Sequence, residues 1–583
     1  MSRKTNIEAD IRNENKCTRT IQSILSVTGK KTWAIISIIA IIQILCAIIT
    51  PAITMQYKKI VDCIGGNIII KELLFVLCCY IFLEMILEIL GNISAYIGQK
   101  FHFEIIENCE KWFASTCQSK CVEEFQDARN HDVIYALKNN LSSNIEICIL
   151  GILSIGSSLI SVGIYLWQLF GTNPFLPVLV VIGNVPSIFL LSRREKEYLL
   201  EKDVQSKRRK ENYFWNILLH RDTTKEIRIF KIRDFFWDKC LKWKTESFES
   251  ESKLEKQISG ISALSNFIRD AFFCICLIIV AYSIIKGKIS IGSFAFAYSA
   301  IQSLNSSFNG LYSKARSLKT IDLQTEDMAV IESLKVEKED VVKLHTVESI
   351  VLNDVYYKYP NTETYSLKKI SVKISQNTST LVVGTNGSGK STLLYLLAGV
   401  YNPSRGKIYA SGIDIQKCIH EYRKFVSMCC IPSTKFPTTL LENIAFENTN
   451  STLDSTLVDG VAQKLDKGFF TPIGQIEKDG VELSGGEWQL VALERTFQQK
   501  ASRFLLFDEP TANLDPDKKE SVMKAIINQK GKAAVVVVSH DIQYAPLFDK
   551  IIVVSNGEIV EQGEFDALID NRKTFSRMFK CVK

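Results

Sequence analysis

Gly384-Thr385-Asn386-Gly387-Ser388-Gly389-Lys390-Ser391 decides the fold of the C-terminal part of this chain. It reads G-x-x-x-x-G-K-S. The apolar run Thr380-Leu381-Val382-Val383 precedes it, and the helix-like run Thr392-Leu393-Leu394-Tyr395-Leu396-Leu397 follows it. A phosphate-binding loop needs this strand–loop–helix setting. Its glycines let backbone N–H groups converge on a polyphosphate, and the helix N-terminus adds a positive dipole. Gly384, Thr385, Asn386, Gly387, Ser388, Gly389 and Thr392 are expected to line the phosphates of a nucleotide. Lys390 is expected to reach the β- and γ-phosphates, and Ser391 to ligate Mg²⁺.

Three further stretches belong with this loop. Phe504-Leu505-Leu506-Phe507-Asp508-Glu509 is an apolar run ending in two carboxylates. A buried parallel strand has this form, with polar residues at the C-terminal end where α/β sheets bind ligands. Asp508 is expected to hold Mg²⁺ through water, and Glu509 to polarise the attacking water. In Leu483-Ser484-Gly485-Gly486-Glu487-Trp488-Gln489, Ser484, Gly485 and Gly486 open a helix and offer a second phosphate-binding terminus. After Val535-Val536-Val537-Val538 comes Ser539-His540-Asp541, which places His540 to contact a γ-phosphate.

Composition divides the chain in two. Its 583 residues are enough for several domains. A mean hydropathy of +0.08 is high beside 23% charged residues, and implies one apolar part and one ordinary globular part. The net charge of +7 is modest and calls for no nucleic-acid partner. The 16 cysteines fit no disulfide framework. Cys46, Cys78, Cys79, Cys148, Cys274 and Cys276 sit in apolar runs, where a thiol behaves as a small hydrophobe. Cys63 alone falls in an expected external loop.

Six apolar runs of spanning length precede the nucleotide motifs: Trp33–Met55, Leu73–Ile97, Ile147–Phe170, Phe175–Ser192, Leu264–Ile285 and Ile291–Leu311. The last is rich in serine and asparagine, as suits a helix facing a wet cavity. What precedes the first is too long and too polar for a signal peptide. The external link Gly171–Pro174 carries no charge, whereas Arg193-Arg194 and Lys207-Arg208-Arg209-Lys210 lie in long cytosolic links. That bias puts the N-terminus and both long loops on the cytoplasmic side of a multi-pass plasma-membrane protein. Glu84 and Glu88 are one turn apart on the second span. Facing a cavity they would favour a cationic substrate; inside the bundle they would be neutralised or hydrogen-bonded. Arg269 and Asp270, adjacent on the fifth span, are expected to point different ways. Pro51, Pro177 and Pro186 are expected to kink their helices.

The ordered set GTNGSGKST (384–392), LSGGEWQ (483–489), FLLFDEPTANLD (504–515) and VSHD (538–541) resembles the nucleotide-binding domain of an ATP-binding cassette (ABC) transporter. The spans before it match the layout of an ABC exporter half. The resemblance implies a multidomain fold: an all-α six-helix transmembrane domain over 1–325, a linker over 326–348 and an α/β P-loop ATPase cassette with an antiparallel subdomain over 349–583. It implies that Tyr359 stacks on adenine. It also implies that Ser484, Gly485 and Gly486 touch the γ-phosphate of ATP held by a partner subunit, and that Asp515 lies in the loop crossing between the two sites. Coupling helices are expected near Phe125–Asp132 and Arg221–Arg228. One departure stands out: the glutamine that the family carries between the P-loop and signature regions is Ile431 here, which cannot ligate a metal.

A half-transporter of this kind works as a dimer, and the mostly intact half-sites favour a homodimer. Glu487-Trp488-Gln489, Lys435–Ile444 and Thr224–Arg228 resemble bacterial lantibiotic and peptide exporters. The expectation is therefore an Mg²⁺-dependent ATPase in the lipid bilayer, exporting a peptide or other small amphipathic substrate, with no cysteine-peptidase domain ahead of the first span. A multidrug or lipid exporter of the same fold, a weakly hydrolytic regulatory subunit of a heterodimer and an importer built on the exporter fold remain alternatives.

Overall fold

The computed structural model describes residues 28–65, 70–192, 194–430, 432–446, 457–474, 479–512 and 514–580. The chain divides into two compact units: Met1–Gln118 with Asp132–Ser333, and Ser119–His131 with Leu334–Lys583.

The first unit is helical: α1 (Lys30–Gly65), α2 (Ile70–Gln118), α3 (Ala128–Phe170), α4 (Phe175–Ser192), α5 (Arg194–Leu219), α6 (Arg221–Phe230), α7 (Arg233–Ile285) and α8 (Gly292–Ser333). Among the described residues, α1, α2, α7 and the Leu141–Phe170 part of α3 are long and apolar enough to cross a bilayer. The apolar stretch of α4, Phe175–Pro186, is shorter, and α8 is not among the spanning candidates. Its serines and asparagines lower its hydropathy. The 53 residues of α7 would measure about 80 Å at 1.5 Å per residue, well beyond a hydrocarbon core of about 30 Å. Helices α1, α2, α3 and α8 pack through Ile36, Phe101, Leu137 and Met328; α3, α4, α7 and α8 pack through Tyr165, Leu176, Cys276 and Leu304. At Gly183 a Cβ would stand 2.9 Å from the Cβ of Phe272, so α4 and α7 meet closely there.

Two details of this unit differ from expectation. Cys63 lies in the last turn of α1, because the helix runs on to Gly65. Arg269 and Asp270 do meet: Arg269 Nε is 3.5 Å from Asp270 Oδ1, and Arg269 Nη1 donates to Asn309 Oδ1 at 2.9 Å. Their Cα–Cβ bonds diverge on the helix, but the long arginine stem reaches back.

The second unit holds two sheets. The antiparallel one has the order β2 (Leu367–Ser375), β1 (Ser349–Tyr357), β4 (Arg405–Ala410), β5 (Ile413–Asp414). The other has the order β10 (Glu558–Gly563), β9 (Lys550–Ser555), β3 (Ser379–Gly384), β8 (Ala534–Val538), β7 (Phe504–Asp508), β6 (Val426–Cys429), parallel except at β10. Every residue of β3, β7 and β8 is buried. That explains their continuous apolar runs, β-branched in β3 and β8, since a parallel strand is covered on both faces.

Residues 334–347 lie on this unit. Backbone bonds run from Cys121 N to Lys335 O and from Glu337 N to Ser119 O, both 2.9 Å. Glu337 makes a bidentate pair with Arg423 (2.6 and 2.8 Å), and Arg423 also donates to Gly399 O. Asp340 accepts from His420 N and Glu421 N at the start of a short helix, Ile419–Arg423.

Arg423→Ala would leave the Glu337 carboxylate, 9% exposed, without its cation. The expected cost is about 2–3 kcal/mol, below the range for fully buried pairs because Arg423 is partly wet. The thermal midpoint of the full chain should fall. Lys424→Ala, which breaks an exposed pair with Glu421, should leave it nearly unchanged.

Candidate functional site

The site forms where the C-terminal ends of β3, β8 and β7 lie side by side. Val382 pairs with Val538, and Val538 with Asp508, so β8 and β7 end level and β3 ends two residues further on, at Gly384. The loop after β3 is built on glycine. A Cβ at Gly384 would stand 2.1 Å from the Val554 carbonyl oxygen, and Gly389 has φ +101°. Gly389 then opens the helix α9 (Lys390–Leu397).

Lys390 is 6% exposed. Its Nζ donates to Gly384 O and Thr385 O at 2.9 and 3.0 Å, so it closes the loop into a ring. Burial pulls its pKa down, with Glu509 and Asp508 opposing. Ser388 Oγ is buried without a partner inside the same loop.

Asp508 is 8% exposed. Burial raises its carboxyl pKa, opposed by the Ser391 hydroxyl hydrogen bond and by Lys390. Its Oδ1 has no partner. Glu509 sits at φ +50°, off the strand. Its own N–H still donates to Val538 O at 2.9 Å. Its Oε2 accepts from His540 N at 3.3 Å, and its Oε1 lies 3.4 Å from His540 Nε2. Burial raises the Glu509 pKa, and His540 beside it works in the other direction.

These groups fit Mg²⁺. A buried carboxylate oxygen without a partner stands beside the Ser391 hydroxyl. Among the described residues no cluster of three His, Cys, Asp or Glu surrounds one point. A cation here would therefore take most of its ligands from phosphate and water, as Mg²⁺ does in nucleotide sites.

The Tyr359 hydroxyl is 3.0 Å from Thr392 Oγ1, which joins that ring to the first turn of α9. The structure thus gathers Tyr359, residues 384–392, Asp508, Glu509 and His540 in one region. Ser484, Gly485 and Gly486 are occupied differently. Ser484 caps the helix Gly485–Phe497: its Oγ accepts from Glu487 N at 3.3 Å, and Glu487 Oε2 accepts from Ser484 N at 3.0 Å and from Ser484 Oγ at 2.8 Å. Ser484 and Gly485 are exposed. Asp515, 81% exposed, caps the helix Pro516–Ile527 by position only. Ile431 and Asn513 lie outside the described residues. The segment expected near Phe125–Asp132 has its turn at Val122–Gln126, and the one near Arg221–Arg228 is α6. In the helical unit Glu84 is half-buried and bonded to the Tyr80 hydroxyl, and Glu88 is exposed.

Sequence reasoning missed two groups. Asp541 Oδ2 accepts from Thr511 Oγ1 (3.0 Å) and Lys519 Nζ (3.2 Å), which ties the loop after β7 to the one after β8. Tyr357 and Tyr401 pack with Tyr359, and Tyr395 packs with Tyr401. Asp541 and Thr511 lie inside the runs 538–541 and 504–515, but their bond joins positions 30 apart, and the tyrosines follow no spacing.

Residues 367–512 match the family model described as ABC transporter. Over its length the chain is similar to the nisin transport ATP-binding protein NisT of Lactococcus lactis subsp. lactis, at 24% identity over 94% of each chain. It is 25% identical to the subtilin transport ATP-binding protein SpaT of Bacillus subtilis, over 86% of this chain and 83% of that one. Its fold matches the structure of a bacterial Atm1-family ABC exporter with ATP bound, with a TM-score of 0.79 at 19% identity, over 93% of this chain and 98% of that one.

A base whose pKa is raised takes up its proton earlier as the pH falls. With Glu509 raised by burial, the acid limb of kcat/KM for ATP should lie above the ordinary glutamate value of about 4.3. A pH–rate profile of the purified chain checks this, and a limb at or below that value would count against Glu509 as the base.

Proposed function

Because the C-terminal domain is an ABC transporter ATP-binding domain and the chain has the fold of an ABC exporter, we propose that this protein exports a peptide across the bacterial plasma membrane as a homodimer. The likeness, over most of the chain, to two proteins named for nisin and subtilin transport supports the peptide reading. ATP hydrolysis coupled to transport follows from the domain itself.

In the proposed cycle the ring that Lys390 closes with Gly384 O and Thr385 O opens towards the β- and γ-phosphates of ATP. Ser391 and Asp508 would hold Mg²⁺, which neutralises charge on those phosphates. Glu509 orients the attacking water, and His540 holds the Glu509 carboxylate and reaches the γ-phosphate. The exposed, already capped terminus at Ser484–Gly486 serves the ATP of the second copy. Each nucleotide then lies between two chains, and closure of the cassettes drives the outward opening. Segments 122–126 and 221–230 carry that closure to the spans, and the N-terminus and cassette stay cytoplasmic. Glu84 and Glu88 favour a cationic cargo.

Mg²⁺-ATPase activity of the purified chain alone in lipid nanodiscs tests this reading. Glu509→Gln should cut kcat by roughly 10²–10⁴-fold, the usual contribution of a positioned base, while ATP remains bound. Cationic peptides should stimulate the unmodified chain more than lipophilic drugs do. A chain that binds ATP but hydrolyses none by itself would rule out the self-sufficient homodimer. Stimulation by drugs alone would rule out the peptide.

A further inference from the structure

Four tyrosines, from β1, α9 and the loops after them, share one cluster in the cassette unit. Tyr357 and Tyr401 are stacked, with ring centroids 5.1 Å apart and planes within 2°. Tyr359 meets both edge-on, at 5.2 and 6.0 Å. Tyr395 of α9 lies 5.0 Å from Tyr401. Tyr357 and Tyr401 are 2% and 8% exposed, so the cluster is packed. A ring in such packing does not turn without moving its neighbours. The plane of Tyr359, the face it would offer to adenine, is therefore set by Tyr357 and Tyr401.

Tyr401 has a second partner. Gln126 Nε2 donates to its hydroxyl at 2.7 Å, and the next residue, Asn402, donates its N–H to Glu123 Oε1 at 2.6 Å. Gln126 and Glu123 belong to the turn Val122–Gln126. The turn and two of the tyrosines line one cavity of about 570 Å³, with Glu123, Tyr357, Tyr359 and Asn402 in its wall. The other oxygen of Glu123, Oε2, is buried without a partner. Tyr401 and Asn402 thus hold the side chains of the turn, beside the backbone bonds that join Ser119 and Cys121 to Glu337 and Lys335.

We propose that Tyr401 is a positioning residue that joins an adenine held on Tyr359 to the segment 119–131, so that occupancy by the base, and not only by the phosphates, orders that segment. The proposal rests on the reading of Tyr359 as the adenine-stacking residue. Adenine on the face of Tyr359 fixes that ring, the ring fixes Tyr401, and the Tyr401 hydroxyl fixes Gln126. The linkage is reciprocal: a segment held firmly strengthens adenine binding by the same factor.

Backbone hydrogen exchange over 119–131 in the full chain, in nanodiscs, tests this. A Glu509→Gln background prevents turnover, and the probes are Mg-ATP and magnesium tripolyphosphate, which has no base. ATP should slow exchange over 119–131 on the order of fivefold or more beyond tripolyphosphate, the low end of coupling between linked sites. Tyr401→Phe keeps the ring and loses the hydroxyl; Gln126→Leu loses the donor. Each should abolish the excess protection, and by the same reciprocity Gln126→Leu should weaken ATP affinity by a like factor while leaving tripolyphosphate affinity unchanged. Equal protection by both probes, or excess protection that survives in both variants, overturns the proposal. Tyr359→Ala separates the two failures. Weakened ATP binding in that variant, with no base-dependent protection in the unmodified chain, overturns the relay alone. Unchanged ATP binding overturns the adenine reading and the relay with it.

Discussion

The pairing of β3 with β8 and of β8 with β7 is the constraint on which the catalytic geometry depends. These strands are buried throughout, so a charged side chain has no place along them. Charge is admitted only where the strands end, and because they run parallel they end together. Segments that are far apart in sequence then have no choice but to meet: the loop after Gly384, the carboxylates after Phe507 and the histidine after Ser539. The exit from β7 is sharp. Glu509 keeps a backbone bond to β8 yet takes a left-handed conformation, and such a residue costs of order 1–3 kcal/mol. The surrounding ladder holds it there, and the result is a carboxylate turned onto His540.

Burial acts on Lys390, Asp508 and Glu509 in one sense, against charge. It lowers the pKa of Lys390 and raises those of Asp508 and Glu509. The three offset each other only in part. Asp508 Oδ1 and Ser388 Oγ stay unsatisfied, which is the condition of a site built around groups that a ligand completes.

How much was legible follows from how each feature is encoded. The P-loop, the strand ending in Asp508-Glu509 and the helix opened by Ser484, Gly485 and Gly486 are local patterns, each contained in fewer than about ten residues, and glycine spacing or an apolar run announces them. The tyrosine cluster is not local. Gln126 and Tyr401 are 275 positions apart, and no periodicity links them. Loop aromatics such as Tyr401 carry no signal until the fold brings them together. The helical part divides in the same way. Uniformly apolar stretches of α1, α2, α3 and α7 read directly as spans, whereas α8, whose Asn305 accepts a hydrogen bond from Asn184 on α4, hides its packing role behind a polar composition. The meeting of Arg269 with Asp270 depends on side-chain reach, which Cα directions do not reveal.

Residues 119–131 have a consequence for how such a protein is divided. They run from the end of α2 into the first turn of α3, yet they form one compact unit with Leu334–Lys583. The unit is therefore discontinuous. A cassette cut free at the linker would expose the Lys335 carbonyl, the Asn402 amide and the Tyr401 hydroxyl, all of which the missing piece satisfies. A chimera made by grafting one relative's cassette onto another's spans would inherit a foreign turn at Glu123 and Gln126. Recombination at the obvious boundary is thus penalised, and the two parts of the chain are bound to change together.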